Sequence, residues 1–174
     1  YLNVTLDRVA AAPSVRLSND SGNSSTDLLT NNGTIIVSGL ESGASFEYQT
    51  YYGEASEASV DESAWNSGSA SGYESVADSD GIYTVFVRQT DAAANESDVT
   101  SFTFELDRTD PVAPSLALSS DNLTVDISGL ESDARWEYNF DGGSNWTDGE
   151  VDAFSVGDAE GATTLYVRQV DEAG

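Results

Sequence analysis

The chain contains two copies of one sequence pattern, with matching segments in the same order. "LDRVAAAP" from Leu6 returns as "LDRTDPVAP" from Leu106, and "VSGLESGASFEY" from Val37 returns as "ISGLESDARWEY" from Ile127. "YTVFVRQTDAAAN" returns near the end of the chain as "TLYVRQVDEAG". A repeat of this length is long enough for each copy to form its own domain. We therefore predict two tandem domains, residues 1–107 and 108–174.

Each copy has the alternation of apolar and polar residues that is typical of β-strands. The segments "TIIVSGL", "SFEYQTY", "YTVFVRQ" and "SFTFEL" alternate in this way, and clusters of Gly, Asn, Asp and Ser separate them. No segment keeps a 3.6-residue period long enough to predict a helix. About seven short strands in roughly 100 residues are typical of an immunoglobulin-like sandwich. The predicted fold class is all-β, with two tandem immunoglobulin-like β-sandwich domains.

The two copies differ in length. The first copy carries two insertions between strand-like segments, "SGNSSTDLLTNNG" and "TYYGEASEASVDESA". The second copy has no counterpart of "NESDVTSFTFELDR", which holds the last strand of the first copy. We expect the second sandwich to lack its last strand within these residues, so that either continuing polypeptide or another segment would complete it. The chain is accordingly expected to be an internal piece of a longer protein.

The composition restricts the chemistry that the chain can perform. The formal net charge is -25, and the sequence contains no Cys and no His. An acidic surface repels nucleic acid and anionic membranes, and no apolar run approaches the roughly 20 residues of a membrane-spanning helix. Disulfides, Ser-His-Asp chemistry and zinc sites with Cys or His ligands are excluded. A bound metal would need oxygen ligands, which favours Ca²⁺ over Mg²⁺; the alternative is a solvated acidic surface suited to salty surroundings.

Three acidic residues of the first copy are predicted to meet at one end of its sandwich. In an up-and-down arrangement, the entering segment, the turn after "TIIVSGL" and the turn after "YTVFVRQ" lie at the same end. They bring together Asp7, Glu41 and Asp91, with Asn95 beside them. The corresponding residues of the second copy are Asp107, Glu131 and Asp171, with Asp110 and Asp133 nearby. Clustered carboxylates repel one another unless a cation neutralises them, which favours a linker calcium site over solvated loop acids without a partner.

A further acidic loop of the first copy is expected at the opposite end. The segment "NDSGNSSTD" contains Asn19, Asp20 and Asp27, and could complete the shell of the metal near Asp107. The second copy lacks this loop, and loops of Asn, Asp and Gly are also ordinary turns. The segment "DSDG" from Asp78 begins like a calcium loop but has no glutamate at its twelfth position, so we predict a hairpin turn there.

The motifs "LDRTDPVAPSLALSSD", "SGLESDARWEYNFDGGSNWTDG" and "LYVRQVDEAG" resemble the bacterial Ig-like tandem repeats of giant RTX adhesins, which are secreted by the type I route. The resemblance covers nearly the whole chain. It implies a secreted, cell-surface array of extender domains, stiffened by calcium at the linkers, that projects a ligand-binding tip and takes part in adhesion and biofilm formation. Its calcium ligands would be the same six residues: Asp7, Glu41, Asp91, Asp107, Glu131 and Asp171. The first copy departs from the usual repeat in "LDRVAAAP" and "DAAAN", and by its longer insertion.

These observations favour a structural function. In this interpretation the chain is a monomeric extender whose partners are the neighbouring Ig-like domains and whose cofactor is Ca²⁺. The alternative is a ligand-binding adhesin module, in which Tyr51, Tyr52 and Trp65 contact a surface glycan or a peptide, or in which a binding domain is inserted after the second copy. The tryptophans otherwise serve as packing residues of the sandwich. A carboxylate-based hydrolase is the least favoured class, because nothing in the sequence places two carboxylates in a cleft.

Overall fold

The structure is a computed structural model that describes residues 1, 3, 5–120, 124–150, 153–155 and 161–174. The chain divides into two compact units, Tyr1–Arg108 and Thr109–Gly174. Both units consist of β-strands, and the first also contains a short 3₁₀ turn at Glu57–Ser59. Among the described residues, no helix is long and apolar enough to cross a membrane.

In its described residues, the first unit contains eight strands in two sheets. The strands are β1 (Ser14–Leu17), β2 (Leu29–Thr30), β3 (Thr34–Ser38), β4 (Ser45–Tyr52), β5 (Asn66–Ser67), β6 (Tyr73–Ser75), β7 (Gly81–Thr90) and β8 (Thr100–Leu106). One sheet has the order β1-β3-β6 and the other the order β2-β8-β7-β4-β5. Every pair is antiparallel except β2 with β8. The four alternating segments of the first copy are therefore β3, β4, β7 and β8, as predicted.

One apolar core lies between the two sheets of the first unit. It combines side chains of both sheets: Leu17, Ile35 and Val37 from one, and Phe46, Tyr83, Val85, Val87, Phe104 and Leu106 from the other. Within each strand these residues are spaced two apart, because successive side chains of a strand point to opposite faces. Two sheets that share a core in this way form a β-sandwich, so the predicted fold class is confirmed.

The longer insertion of the first copy packs on the outer face of the five-stranded sheet. Thr84 and Phe86 of β7 point to that face and are fully buried. The backbone N–H of Ala55 donates to Thr84 Oγ1 (3.1 Å), and the Gln49 side chain exchanges two hydrogen bonds with the backbone of Asp61 (2.6 and 3.1 Å). The insertion therefore covers a sheet face that would otherwise meet solvent.

The segment "DSDG" is not the hairpin turn predicted from its residues. It leads from β6, which pairs with β3, to β7, which pairs with β4 and β8, so the chain changes sheets there. Asp80 Oδ1 accepts a hydrogen bond from the backbone N–H of Arg108 (2.8 Å), and the Arg108 guanidinium donates to the carbonyl of Asp78 (2.9 Å). This crossover segment therefore holds the residue that ends the first unit.

The second unit repeats most of this arrangement, with six strands among its described residues. They are β9 (Ser115–Leu118), β10 (Thr124–Ser128), β11 (Arg135–Asn139), β12 (Thr147–Asp148), β13 (Ala153–Ser155) and β14 (Tyr166–Val170). The sheets have the orders β13-β10-β9 and β12-β11-β14. Ile127 and Trp136, on the central strands β10 and β11, are buried. In the described part of this unit, no strand corresponds to β8, in agreement with the sequence.

In each unit a glycine lies against the ring of a buried aromatic residue. A Cβ added at Gly68 would overlap the ring of Phe46, and one added at Gly149 would overlap the ring of Trp136. We expect Gly68→Ala to lower the free energy of unfolding of the first unit by about 1–3 kcal/mol, because the ring must leave its position in a packed core. Chemical denaturation measures the loss, with the neighbouring exposed Ser67→Ala as the control. An unchanged denaturation midpoint for Gly68→Ala would contradict this packing.

Candidate metal centre

Three carboxylates meet at the end of the first unit where the chain enters it. Asp7 precedes β1, Glu41 lies in the turn between β3 and β4, and Asp91 follows β7. One carboxylate oxygen from each residue lies within 4.8 Å of the other two. The convergence that the topology predicted for these side chains is therefore observed.

Asp91 is the most buried and the most firmly held of the three. Its Oδ1 accepts hydrogen bonds from the backbone N–H groups of Ala93 and Asn95 (both 2.8 Å), and its Oδ2 accepts one from the Asn95 side chain (2.7 Å). The hydrogen bonds from Asn95 keep the pKa of Asp91 below its ordinary value, against the opposite effect of burial. Asp91 is therefore a fixed anion, and Asn95 serves it as a hydrogen-bond donor.

Asp7 and Glu41 each bind the entering segment through one oxygen. Glu41 Oε1 accepts a hydrogen bond from the backbone N–H of Ala11 (2.6 Å), and Asp7 Oδ1 accepts one from that of Val9 (3.4 Å). None of the ion pairs between described residues includes either carboxylate or that of Asp91. Like charges at this spacing repel one another, and a bound cation would offset that repulsion.

A buried glutamine fixes two of the segments that carry these carboxylates. Gln89 is fully buried, and its Nε2 donates to the carbonyl groups of Ala11 (2.6 Å) and Gly39 (3.4 Å). Its Oε1 accepts from the backbone N–H of Glu41 (2.9 Å). Gln89 was not among the residues predicted from the sequence, although it and its counterpart Gln169 occupy the same position in the repeated "VRQ".

The second unit has the same hydrogen-bonded framework. Gln169 donates to the carbonyl groups of Val112 and Gly129, and accepts from the backbone N–H of Glu131 (2.8 Å). Glu131 Oε1 accepts from the backbone N–H of Val112 (3.3 Å), as Glu41 does from Ala11 in the first unit. The framework that positions the glutamate is therefore a property of the repeat and not of one copy.

Among the described residues, the group of three carboxylates found is Asp7, Glu41 and Asp91, and the other acidic candidates of the repeat do not belong to it. Asp171 Oδ1 accepts a hydrogen bond from the backbone N–H of Gly174 (2.7 Å), and Asp133 accepts one from Ser132 (2.8 Å) at a backbone φ of 64°. Asp110 lies on the exposed segment before β9. Asp107 follows β8, where its backbone N–H donates to the carbonyl of Thr30 (2.9 Å).

The acidic loop of the first unit lies at the end opposite to Asp91. It leads into β2, whose Thr30 pairs with Leu106 at the end of β8, and the Thr30 hydroxyl donates to the carbonyl of Asn19 (2.8 Å). Asp20 Oδ2 accepts from the backbone N–H of Leu28 (3.4 Å), and Asp27 Oδ1 accepts from that of Leu29 (3.1 Å). Each carboxylate thus accepts one hydrogen bond from the backbone of the loop.

The three aromatic candidates of the first unit do not all lie on one face of the sheet. Tyr51 and Tyr52 are consecutive in β4 and therefore point to opposite faces of the sheet. The Tyr52 ring packs edge-on against Tyr83, with the ring centroids 5.3 Å apart. The guanidinium of Arg88 lies 4.3 Å from the centre of the Trp65 ring and covers it. The same contact recurs in the second unit, where Arg168 lies 4.4 Å from the ring centre of Trp146.

Arg168, which contacts Trp146 in the second unit, also binds a buried glutamate. Glu137 pairs with Arg168 (2.6 Å) and with Arg135. Burial raises the pKa of Glu137, but the hydrogen bonds and charges of Arg135 and Arg168 outweigh it and lower the pKa below its ordinary value. Arg88 pairs with Glu47 (3.2 Å) in the first unit, so the tryptophan, arginine and glutamate form a structural group in both copies.

The sequence of the first unit matches a known family. The family model described as bacterial Ig-like domain matches residues 6–108, which is more than half of the chain. The chain belongs to this family. No curated protein matches it. A structural, non-enzymatic role at the cell surface is the typical one for a bacterial Ig-like domain.

The hydrogen bonds of Asp91 predict how the Ig-like domain responds to acid. Because the pKa of Asp91 is lower in the folded state, its stabilising contribution is present above the unfolded pKa of about 3.9 and is lost as the pH falls through the folded value. We expect the melting temperature in chelator to fall below about pH 4, and less steeply for Asp91→Asn. The exposed Asp98→Asn is the control for the change in net charge. Parallel profiles for Asp91→Asn and the unmodified chain below pH 4 would contradict the assignment.

Proposed function

We propose that this chain is a structural segment of a secreted bacterial surface adhesin of the RTX type. Its Ig-like domains act as extenders that hold a ligand-binding region away from the cell, and Ca²⁺ stiffens the segment that enters each domain. The observation that carries the proposal is the meeting of Asp7, Glu41 and Asp91 at the entry end of the first domain. The resemblance to tandem adhesin repeats supports the same role.

The origin of the three carboxylates explains how a cation would stiffen the chain. Asp7 belongs to the entering segment, whereas Glu41 and Asp91 belong to turns of the domain. A single ion bound to all three would attach the entering segment to the domain and remove its freedom to swing. Ca²⁺ accepts six to eight oxygen ligands in flexible geometry, so backbone carbonyl groups and water can complete a site with three carboxylates.

The repetition of the framework supports an array function. Glu41 and Glu131 each accept a hydrogen bond from the segment that enters their domain. Gln89 and Gln169 each join that segment to the turn that carries the glutamate. A device that secures the entering segment is useful in every repeat of an extended array. A site for a single external ligand would need no such repetition.

Calorimetric titration with Ca²⁺ tests the proposed site. We expect Glu41→Gln to weaken Ca²⁺ binding by about tenfold or more, since one ligand charge is lost from the cluster. Glu54→Gln removes the same charge from an exposed position away from the cluster, and should leave the affinity unchanged. Identical isotherms for the two variants would show that Ca²⁺ binds only to the acidic surface in general, and would end the proposal of a built site.

The proposed location requires a separate test in the producing bacterium. Antibodies raised against the 174-residue chain should label intact cells, and an external protease should remove the labelling. Labelling that appears only after the cells are permeabilised would contradict a surface role. This result is independent of the calcium titration, so the two parts of the proposal can fail separately.

A further inference from the structure

The shorter insertion of the first unit, "SGNSSTDLLTNNG", forms one wall of an open cavity. The cavity has a volume of about 550 Å³, which lies in the range of sites for small ligands. Leu28 of the insertion lines it together with Leu17 of β1 and Phe102 of β8. In the second copy "SLALSSD" leads directly into "NLTVDISGL", without such an insertion. The cavity therefore belongs to this copy and is not a general feature of the repeat.

Leu28 has a backbone conformation that leucine seldom adopts. Its φ is 65°, in the left-handed region that favours glycine and asparagine. Its carbonyl group accepts a hydrogen bond from the backbone N–H of Glu105 (2.9 Å), which helps to hold this conformation. The side chain is 39% exposed and lines the cavity, so it does not serve the core. A large apolar side chain at a strained and exposed position indicates a ligand site, because strained residues cluster at such sites.

The carboxylate of Asp20, which also lines the cavity, has few hydrogen bonds. Its Oδ2 accepts one long hydrogen bond from the backbone N–H of Leu28 (3.4 Å), and its buried Oδ1 accepts none from the described residues. None of the ion pairs between described residues includes Asp20. An ionised carboxylate can accept about four hydrogen bonds, and a buried oxygen without one is costly. A positively charged donor would bind at Oδ2, or at Oδ1 after a small displacement of the loop.

Arg16 brings a positive charge to the same cavity. Its exposed side chain donates to the carbonyl of Leu17 (3.1 Å), and it is absent from the ion pairs between described residues. Arg88 and Arg168, in contrast, each pair with a glutamate. A guanidinium group offers five N–H donors in a fork that matches a carboxylate. Arg16 is therefore suited to bind the carboxylate of a ligand.

The two opposite charges determine the class of ligand. Arg16 and Asp20 both line the cavity but form no ion pair with each other, and apolar side chains line the rest of one wall. A ligand with a single charged group would leave one of the two residues without a partner after water is displaced, which is unfavourable. A ligand with an ammonium group, a carboxylate and an apolar body satisfies both residues.

We propose that this cavity binds a small zwitterion, namely an α-amino acid with an apolar side chain. The ammonium group of the ligand pairs with Asp20, and its carboxylate pairs with Arg16. Its side chain packs on Leu17, Leu28 and Phe102. Because a zwitterion has no net charge, the acidic surface of the chain does not attract it, and the affinity must come from the cavity. The inference rests on side chains of the first unit, and it depends neither on calcium nor on the proposed function.

An NMR titration of the 174-residue chain tests the ligand class with three compounds that share a phenyl ring. Phenylalanine has both charged groups, 2-phenylethylamine has only the ammonium group, and 3-phenylpropionate has only the carboxylate. With excess Ca²⁺ present, we expect phenylalanine to shift the amide signals of Leu28 and Phe102, and the other two to bind about tenfold more weakly or less. No shift with phenylalanine would overturn the proposal. Binding of 2-phenylethylamine as tight as that of phenylalanine would also overturn it, since the acidic surface would then be attracting a cation.

Variants of the two charged residues show which group of the ligand each one binds. Asp20→Asn should weaken phenylalanine binding by about tenfold and remove its advantage over 3-phenylpropionate. Arg16→Gln should instead remove its advantage over 2-phenylethylamine. Asp27→Asn is the control, because it removes the same charge from the same loop at a residue that does not line the cavity. Equal losses in Asp20→Asn and Asp27→Asn would assign the effect to the loop or its net charge, and would overturn the proposal.

Leu28→Asn separates binding from stability. Asparagine adopts a positive φ more readily than leucine, so relief of the backbone offsets the lost apolar contacts and the melting temperature should stay close to that of the unmodified chain. Phenylalanine binding should nevertheless weaken by about threefold or more, because an apolar wall of the cavity is lost. Unchanged binding in Leu28→Asn would place the ligand away from this wall and overturn the proposal.

Discussion

Replacement of Gln89 by leucine is expected to lower the free energy of unfolding of the first domain by about 3 kcal/mol and to weaken Ca²⁺ binding by more than tenfold. The side chain is fully buried and bonds to the backbone of Ala11, Gly39 and Glu41. Each partner left without a hydrogen bond in the interior costs about 1–3 kcal/mol. Loss of the same bonds releases the entering segment and the turn that carries Glu41. The three carboxylates are then no longer held close to one another.

Gln49 provides a matched control for this substitution. It is also a buried glutamine on a strand of the same sheet, and it exchanges two hydrogen bonds with the backbone of Asp61. Gln49→Leu should therefore cost a similar amount of stability, measured by chemical denaturation, while Ca²⁺ affinity is unchanged. Equal loss of affinity in both variants would assign the effect of Gln89 to general destabilisation. Full affinity in Gln89→Leu would show that the hydrogen bonds of Gln89 do not position the carboxylates.

The strands could be predicted because alternation is a local property of the sequence. In "YTVFVRQ" the inward residues of β7 follow directly from a period of two, and the up-and-down order then places Glu41 and Asp91 at one end. The approach of Asp7 followed from its position in the segment that leads into β1. The convergence of all three needed only the topology, and no knowledge of side-chain contacts.

The role of Gln89 could not be predicted in the same way. Its partners Ala11 and Gly39 are distant in sequence and use only backbone groups, which leave no trace in residue type. The turn assigned to "DSDG" was wrong for a related reason. Its residues predict a reversal of the chain, but the pairing of β6 with β3 decides that the chain passes to the other sheet.

The longer insertion covers the outer face of the sheet, and its composition did not indicate this role. Its acidic and aromatic residues suggested a surface for an external ligand, but Ala55 and Asp61 bind buried polar groups of the sheet. The apolar Phe86 on the outer face of β7 was a signal for such a cover, because a solvent-facing position of an antiparallel strand is usually polar. The burial of β7 on both faces depends on this insertion.

Ca²⁺ is expected to raise the melting temperature of the chain by about 10 °C or more relative to chelator. At a free Ca²⁺ concentration of 100 Kd, binding to the native state alone adds about 2.7 kcal/mol to the free energy of unfolding. For a domain of about 100 residues, each kcal/mol shifts the melting temperature by roughly 4–8 °C. Differential scanning calorimetry of the 174-residue chain measures the shift directly.

The net charge of -25 requires a particular control for this experiment. Any added salt screens the repulsion between surface carboxylates and stabilises the chain to some extent. The calcium and chelator samples should therefore share a background of about 0.15 M NaCl, at which the Debye length is about 8 Å. A built site responds to Ca²⁺ on this background and loses the response in Glu41→Gln, but not in Glu54→Gln. A shift that persists in Glu41→Gln, or that an equal concentration of Mg²⁺ reproduces, would mean that the acidic surface and not the three carboxylates binds the ion.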